Sequence, residues 1–426
     1  MTILPSALAN PSAGPSVSKS AKKVSSAPAP TYEGEFVLPQ PLALECGRRL
    51  ARATLRFAVY GRLNSAKDNV VLVCHALSGS AQVGTWWPEL FGKANAGPSV
   101  SLRSAQDDGI PNEADIRSGA AHRDMELGKG IVDPERDCVI CINLLGSCYG
   151  STGPGSVDPE TGEVYGPDFP LVSIRDNVHA QAQLLDSLEI ERLRLVIGGS
   201  IGGMQALEWA ILYPERVERA AIIAVAPLSA MGLALNHLQR QAIQSDPDWL
   251  EGNYPPDKQP RKGLALAREI ATLSYKSAQL FNERFGRNPN RNGEDPWALE
   301  DHGGGLGRQG RGGRFDVAGF LDYQGERFLD RFDANAYLAI SRTMDTWEPT
   351  RGYGEAQEAF GRIRAQLIFV GISSDWLFPP EDVRRLAELV RQSGADAEYR
   401  EMATDHGHDA FLAEQAELVR LLHLPG

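Results

Sequence analysis

The chain lacks an apolar run near the roughly 20 residues that a membrane-spanning helix needs, lacks a surplus of basic residues, and has almost no cysteine. With 43 Lys and Arg against 55 Asp and Glu in 426 residues, the formal net charge is −12. That balance argues against nucleic acid or an anionic membrane as the main partner and leaves small molecules open. Any anionic ligand must find local positive groups. The five cysteines, Cys46, Cys74, Cys138, Cys141 and Cys148, are too few and of the wrong parity for a disulfide framework. They are expected to be reduced thiols of a cytoplasmic protein, most of them in the core. Cys138 and Cys141 have redox-like spacing, but both fall inside one apolar run and read as two core thiols. Residues 1–31 carry no continuous apolar stretch of the signal-peptide kind. Rich in Ala, Pro and Ser, with Lys19, Lys22 and Lys23, they read as a disordered tail.

What is present is an ordinary globular composition, 42% hydrophobic and 23% charged, arranged in alternation. Thr54–Tyr60, Asn69–Cys74, Cys138–Leu144, Leu193–Ile197, Ala220–Ala226, Ala365–Val370 and Ala397–Met402 read as strands. Ser173–Leu188, Met204–Tyr213, Pro380–Ser393 and Asp409–Leu422 read as helices. Such alternation implies a largely parallel sheet covered on both faces. Between Leu228 and about Arg362 it stops, and Leu233–Ile243, Lys262–Leu280 and Arg331–Asp345 look helical instead. The expected organisation is a core at 32–227, a helical lid at 228–362 inserted between two late strands, and the rest of the core at 363–426. Two polar, glycine-bearing stretches, 93–123 and 286–314, read as an insertion and a flexible loop. Arg311-Gly312-Gly313-Arg314 in the second has a nucleic-acid flavour that the acidic surroundings oppose.

Gly198-Gly199-Ser200-Ile201-Gly202 follows an apolar strand and opens a helix. A Gly-X-Ser-X-Gly turn in that setting is tight and strained, and it projects the serine hydroxyl from the carboxyl edge of the sheet, as in the nucleophile elbow of the α/β-hydrolase fold. The phosphate-loop alternative fails on spacing, since no G-x-x-x-x-G-K-[ST] is present. A serine needs a base, and the base needs a buried acid, in the chain order Ser, acid, His. Asp375 lies just past the strand at Ala365–Val370, and His408 lies past Ala397–Met402, so Ser200, Asp375 and His408 form the expected triad. His406 is the rival base. A His406/His408 metal site has no third ligand nearby in sequence, so no metal is expected. The backbone N–H groups of Ile201 and Leu77 are the expected oxyanion hole, and His75 reads as structural. His179, His237 and His423 have structural or solvated roles by default, and His122 and His302 fall in the two polar stretches.

Further stretches are distinctive: His75 through Gly79, Asn143 through Pro154, Tyr165 through Pro170, Gly198 through Ala210, Gln239-Arg240-Gln241 within Asn236 to Ile243, Tyr323-Gln324-Gly325, Arg331 through Asn335, and Gly407 through Leu412. With these spread over most of the chain, the sequence resembles the homoserine O-acyltransferase family, α/β-hydrolase-fold enzymes of methionine biosynthesis. The resemblance places nucleophile, acid and base on Ser200, Asp375 and His408, and substrate contacts on Arg240 and Asp409. A guanidinium for the carboxylate and a carboxylate for the ammonium suit an amino acid. The bland alternatives are a lid salt bridge for Arg240 and a helix N-cap for Asp409. The resemblance further implies acetyl-CoA as co-substrate with no bound cofactor, L-homoserine as acceptor, and a homodimer. Succinyl transfer, a serine acceptor, an esterase or thioesterase, and a non-catalytic binding protein are the alternatives. Departures from the family pattern are the two polar insertions, Ile201 where Met or Leu is usual, and Thr404-Asp405-His406.

Overall fold

The computed structural model of the chain describes residues 28–92, 130–255, 257–291, 296–297 and 314–423. The expected insertion at 93–123 lies outside them, as do His122, His302 and the tail up to residue 27. Among the described residues, eight strands form one sheet in the order β1 (Tyr32–Val37), β4 (Thr54–Gly61), β6 (Cys138–Ile142), β5 (Val70–Cys74), β7 (Leu195–Gly199), β8 (Arg219–Ile223), β9 (Gln366–Ile372) and β10 (Ala397–Met402). The β1/β4 and β4/β6 pairs are antiparallel, and all later pairs are parallel. A two-stranded ribbon, β2 (Leu42–Ala43) with β3 (Arg49–Leu50), stands apart from it.

The Val- and Ile-rich central strands are buried along their whole length because helices cover both faces. Successive side chains serve two different cores. Val70, Leu72 and Cys74 join Ile140, Val196 and Ile222 on one side. Val71 and Val73 join Val139, Ile197, Ile223 and Phe411 on the other. Cys138 and Cys141, three residues apart on one strand, therefore point to opposite faces and cannot pair. All five cysteines are free.

Helices α1 (Val83–Trp86), α2 (Ile174–Ser187) and α3 (Ile201–Leu212) belong to the first part of the core. Between β8 and β9 run α4 (Ala230–Gln244), α5 (Arg261–Tyr275), α6 (Ala278–Arg284), α7 (Asp316–Leu329), α8 (Ala334–Asp345) and α9 (Ala356–Phe360). After β9 come α10 (Pro380–Gln392), α11 (Ala410–Ala413) and α12 (Gln415–Leu422).

Several boundaries differ from expectation for local reasons. The expected helix Lys262–Leu280 is two helices, because Lys276 is extended and the Ser277 hydroxyl accepts from the Leu280 N–H at 3.0 Å, capping α6. Arg331–Asp345 starts late, at Ala334, because Asp333 caps it through the Ala336 N–H at 2.8 Å. Asp409–Leu422 is broken at Glu414, whose φ of −117° and ψ of 54° leave the helical region. Order begins before residue 32: Thr31 N–H donates to the Val59 carbonyl at 2.7 Å, so 28–31 do not belong to a disordered tail. Most of the stretch 286–314, expected to be a flexible loop, lies outside the described residues. Its two ends are tied together where Asn290 N–H donates to the Arg314 carbonyl at 2.8 Å.

Candidate active site

The strand β7 runs into α3 with Ser200 between them at φ 58° and ψ −130°. A non-glycine residue held there costs on the order of 1–3 kcal/mol, which the surroundings must offset. They do so with hydrogen bonds from Ser200 N–H to the Ile223 carbonyl at 2.9 Å, and from Gly203 and Met204 N–H to the Ser200 carbonyl at 2.8 and 3.1 Å. The flanking glycines are sterically required. A Cβ on Gly202 would lie 2.1 Å from the Cys74 carbonyl oxygen, and one on Gly198 would lie 2.4 Å from the Gly202 carbonyl. Strand and helix thus approach closer than any side chain allows, which leaves Ser200 at the sheet's carboxyl edge.

Asp375 follows β9 on a loop at that same edge. Its Oδ1 accepts from the Leu377 and Phe378 N–H groups, both at 2.9 Å, and its Oδ2 stands 2.7 Å from His408 Nδ1. Both groups are buried. This bond assigns the proton to Nδ1 and the free lone pair to Nε2. Burial pulls the His408 pKa down, but the charge and hydrogen bond of Asp375, with the charge of Asp409, outweigh it, so the net direction is up. The rings of Tyr275, Phe378 and Phe411 surround the imidazole with centroids at 5.7, 5.2 and 5.8 Å. Phe411 is also the wall against which Gly199 packs, since a Cβ there would meet its ring at 2.5 Å. The base loop and the serine turn therefore share one wall.

β5 pairs with β7 so that Cys74 faces Gly198, which brings the loop starting at His75 alongside the turn. His75 is fully buried. Its Nδ1 lies 2.8 Å from the Ala76 carbonyl, and its Nε2 accepts from the Leu144 N–H at 3.1 Å. Burial drives its pKa down to about 4, so it is a neutral pin between the β5 and β6 loops. Among the described residues, neither the Leu77 nor the Ile201 backbone N–H has a protein acceptor.

Arg240, on α4, makes a lid salt bridge: its Nη2 lies 2.5 Å from Asp345 Oδ2, while the Asn236 amide holds Asp345 Oδ1 at 2.8 Å. Asp409 makes no side-chain cap at the start of α11, contrary to the N-cap alternative. Its Oδ2 instead faces the Lys276 ammonium at 3.2 Å. His406, the rival base, is turned away to Glu414.

The chain matches the alpha/beta hydrolase fold model over residues 119–415. It is 46% identical over 375 residues to a protein of Symbiobacterium thermophilum named homoserine O-acetyltransferase, covering 88% of each chain. The chain belongs to the homoserine O-acyltransferase family of the α/β-hydrolase fold. Members named for another acyl group are also near: a homoserine O-succinyltransferase of Alkalilimnicola ehrlichii is 40% identical, again over 88% of each chain. Among solved structures, the homoserine O-acetyltransferase of Bacillus anthracis has the same fold, with a TM-score of 0.71 at 22% identity, covering 91% of this chain and 97% of that one. The structure of esterase E22 scores 0.69, at 25% identity over 92% of this chain and 99% of that one.

Three groups that the structure brings in have no role assigned from the sequence, although one of them falls within the Gly198 through Ala210 stretch. Lys276 and Asp345 are the counter-ions just described. The third is Glu208, fully buried on α3, which receives Arg175 Nε on both oxygens at 3.2 Å and Trp347 Nε1 at 3.1 Å. Burial pushes its pKa up to about 7 against those partners. Arg175 also reaches the Arg351 and Pro349 carbonyls at 2.7 and 2.9 Å, tying the serine-bearing helix to the chain that returns from the lid. The one signal for this hub is an acidic residue in a helix that is apolar apart from its glycines and Gln205.

Proposed function

We propose that the protein transfers an acetyl group from acetyl-CoA to the hydroxyl of L-homoserine, with Ser200 as the carrier. The observation that carries the reading is the buried 2.7 Å contact between Asp375 and His408, walled in with a strained serine in a chain of this family. His408 Nε2 takes the Ser200 proton as Oγ attacks the thioester carbonyl, and the Leu77 and Ile201 N–H groups receive the oxyanion. Collapse expels CoA, protonated by the imidazolium. The homoserine hydroxyl then gives its proton to His408 and attacks the acetyl-serine. The second collapse forms O-acetylhomoserine and returns the proton to Ser200. Asp375 holds the imidazole in the tautomer that both halves need. Arg240 takes the substrate carboxylate, dividing its guanidinium between that group and Asp345, and Asp409 takes the ammonium. No bound cofactor enters either half.

Free cysteines and an acyl-CoA donor support a cytoplasmic setting. No described helix is long and apolar enough to cross a membrane. A homodimer through the lid is supported by apolar side chains that α4 and α5 leave exposed, Met231 and Leu238 on one, Leu266 and Leu273 on the other.

A panel of acetyl-CoA and succinyl-CoA against L-homoserine and L-serine, with CoA release as readout, tests the reading. The expected result is release that depends on homoserine and acetyl-CoA together and vanishes in Ser200→Ala. Succinyl transfer is the second reading, favoured by the family members of that name. Equal release with water alone marks an esterase.

A further inference from the structure

Lys276 plays no part in the chemistry above, yet its position is unusual. It ends a lid helix, but its side chain is 4% exposed and that of Asp409 is 5% exposed, with Nζ 3.2 Å from Oδ2. Lysine is almost never so deep unless paired. Desolvating an ammonium with a carboxylate is often no more stabilising than packing apolar groups of the same volume. Stability alone gives little reason for this pair one residue from His408.

The backbone holds the contact in place. Gly407 has φ 71°, and a Cβ there would lie 2.7 Å from the Tyr275 carbonyl oxygen and 2.8 Å from Lys276 C and Ser277 N. The Ser277 hydroxyl donates to the Asp405 carbonyl, and Trp376 Nε1 donates to the Lys276 carbonyl at 3.0 Å. The end of α5 is thus gripped by the acid loop on one side and the base loop on the other.

We propose that Lys276 is a positioning residue for the acceptor, holding the Asp409 carboxylate aimed so that Oδ1 receives the α-ammonium of the incoming amino acid. The proposal rests on the reading above, in which Asp409 binds that ammonium. Lys276 contacts Oδ2, and among the described residues no other hydrogen-bond donor reaches this carboxylate. A carboxylate accepts two or more partners, so the second oxygen is left for the ligand. Charge then selects the ligand. In the reading above the ammonium meets Asp409 and the carboxylate meets Arg240, so a zwitterion fills both contacts. A bare amino alcohol leaves the Arg240 contact unfilled, and a simple alcohol leaves Oδ1 unfilled as well.

The test uses the full chain with Lys276→Met and Lys276→Arg, each alone and combined with Asp409→Asn. Acetyl-Ser200 formation from acetyl-CoA is followed in a single turnover, and KM for L-homoserine in the steady state. Lys276→Met is expected to raise the homoserine KM at least about tenfold while changing acetyl-enzyme formation less than about threefold, and Lys276→Arg to restore most of the loss. In the Asp409→Asn background the same Lys276→Met change is expected to add less than about twofold, because both act through one carboxylate. An unchanged KM in Lys276→Met overturns the proposal, as does a loss of equal size with and without Asp409. If Lys276→Met folds poorly because it strands a carboxylate, Lys276→Gln, which keeps a hydrogen-bond donor toward Oδ2 without the charge, takes its place in both backgrounds with the same expected and overturning results. Wild-type protein that forms acetyl-Ser200 but releases CoA equally with and without homoserine sinks the transfer reading, and this proposal with it. That outcome is distinct from homoserine-dependent release that ignores Lys276.

Discussion

The sheet edge and the lid hold their polar groups by different means. At the edge, Ser200 is fixed by a left-handed backbone and three main-chain hydrogen bonds, Asp375 by two backbone N–H groups, and His75 as a neutral pin. In the lid and its seam, Arg240, Asp345, Lys276 and Asp409 are held by ion pairs with side chains 4% to 15% exposed. Backbone-held groups keep their geometry with or without ligand. Ion-paired groups can exchange one partner for another of the same sign. In the proposed reaction, reacting atoms are placed by the backbone, and ligand charges are met by side chains that keep an ion-pair partner and offer the ligand a remaining oxygen or nitrogen.

The sharpest way to break this contrast is at the sheet edge. Asp375→Asn keeps the shape but offers His408 the wrong tautomer, so kcat for CoA release is expected to fall about 10⁴-fold with the homoserine KM little changed. A fall of only a few-fold in steady-state assays would show that the aspartate does not orient the base. In the lid the effect is smaller and of another kind. Arg240→Lys loses the planar fork, and kcat/KM for homoserine is expected to drop about 10- to 100-fold, mostly through KM, with single-turnover acetyl-Ser200 formation spared. An equal loss in both half-reactions would erase the division between edge and lid.

The smallest effect is a displacement along the pH axis. His408 must be neutral to act as base, and its partners hold its pKa above the ordinary 6.5. The imidazolium therefore persists to higher pH, and kcat/KM for acetyl-enzyme formation rises with pH through a limb above 6.5. Exchange of the Asp375 carboxylate for an amide removes the largest upward influence and moves the limb down. A limb below 6.5 in the wild-type profile contradicts the geometry.

How much of this is legible in the sequence follows the same division. The strands β5 to β9 show as compact Val- and Ile-rich runs because they are buried on both sides. Ser200 shows because its demand on neighbouring glycines is local. β1 gives no such signal. It is an edge strand whose one buried residue is Gly34, so its alternation of Tyr32 and Phe36 with Glu33 and Glu35 is broken at the centre by a residue with no side chain to read. α7 lies beside a glycine-rich stretch, and its buried residues include Gln324 and Gly325, which break the apolar period. The partners of Arg240 and Asp409 lie far away along the chain, and nothing in local spacing says which lysine or aspartate will meet them. A lid salt bridge for Arg240 is the bland alternative that the sequence already allows. Nothing in the sequence points to Lys276.

The distribution of thiols has a practical consequence for assays that detect CoA with a thiol-reactive chromophore. Cys74, Cys138 and Cys141 are shut inside the two cores, and their pKa values are raised by burial. Cys46 and Cys148 are exposed, and burial of the Cys148 sulfur still pushes its pKa up to about 11. The native enzyme's own background with such a reagent should come chiefly from Cys46. Replacing that residue with serine gives a quiet baseline against which a single released equivalent of CoA can be counted.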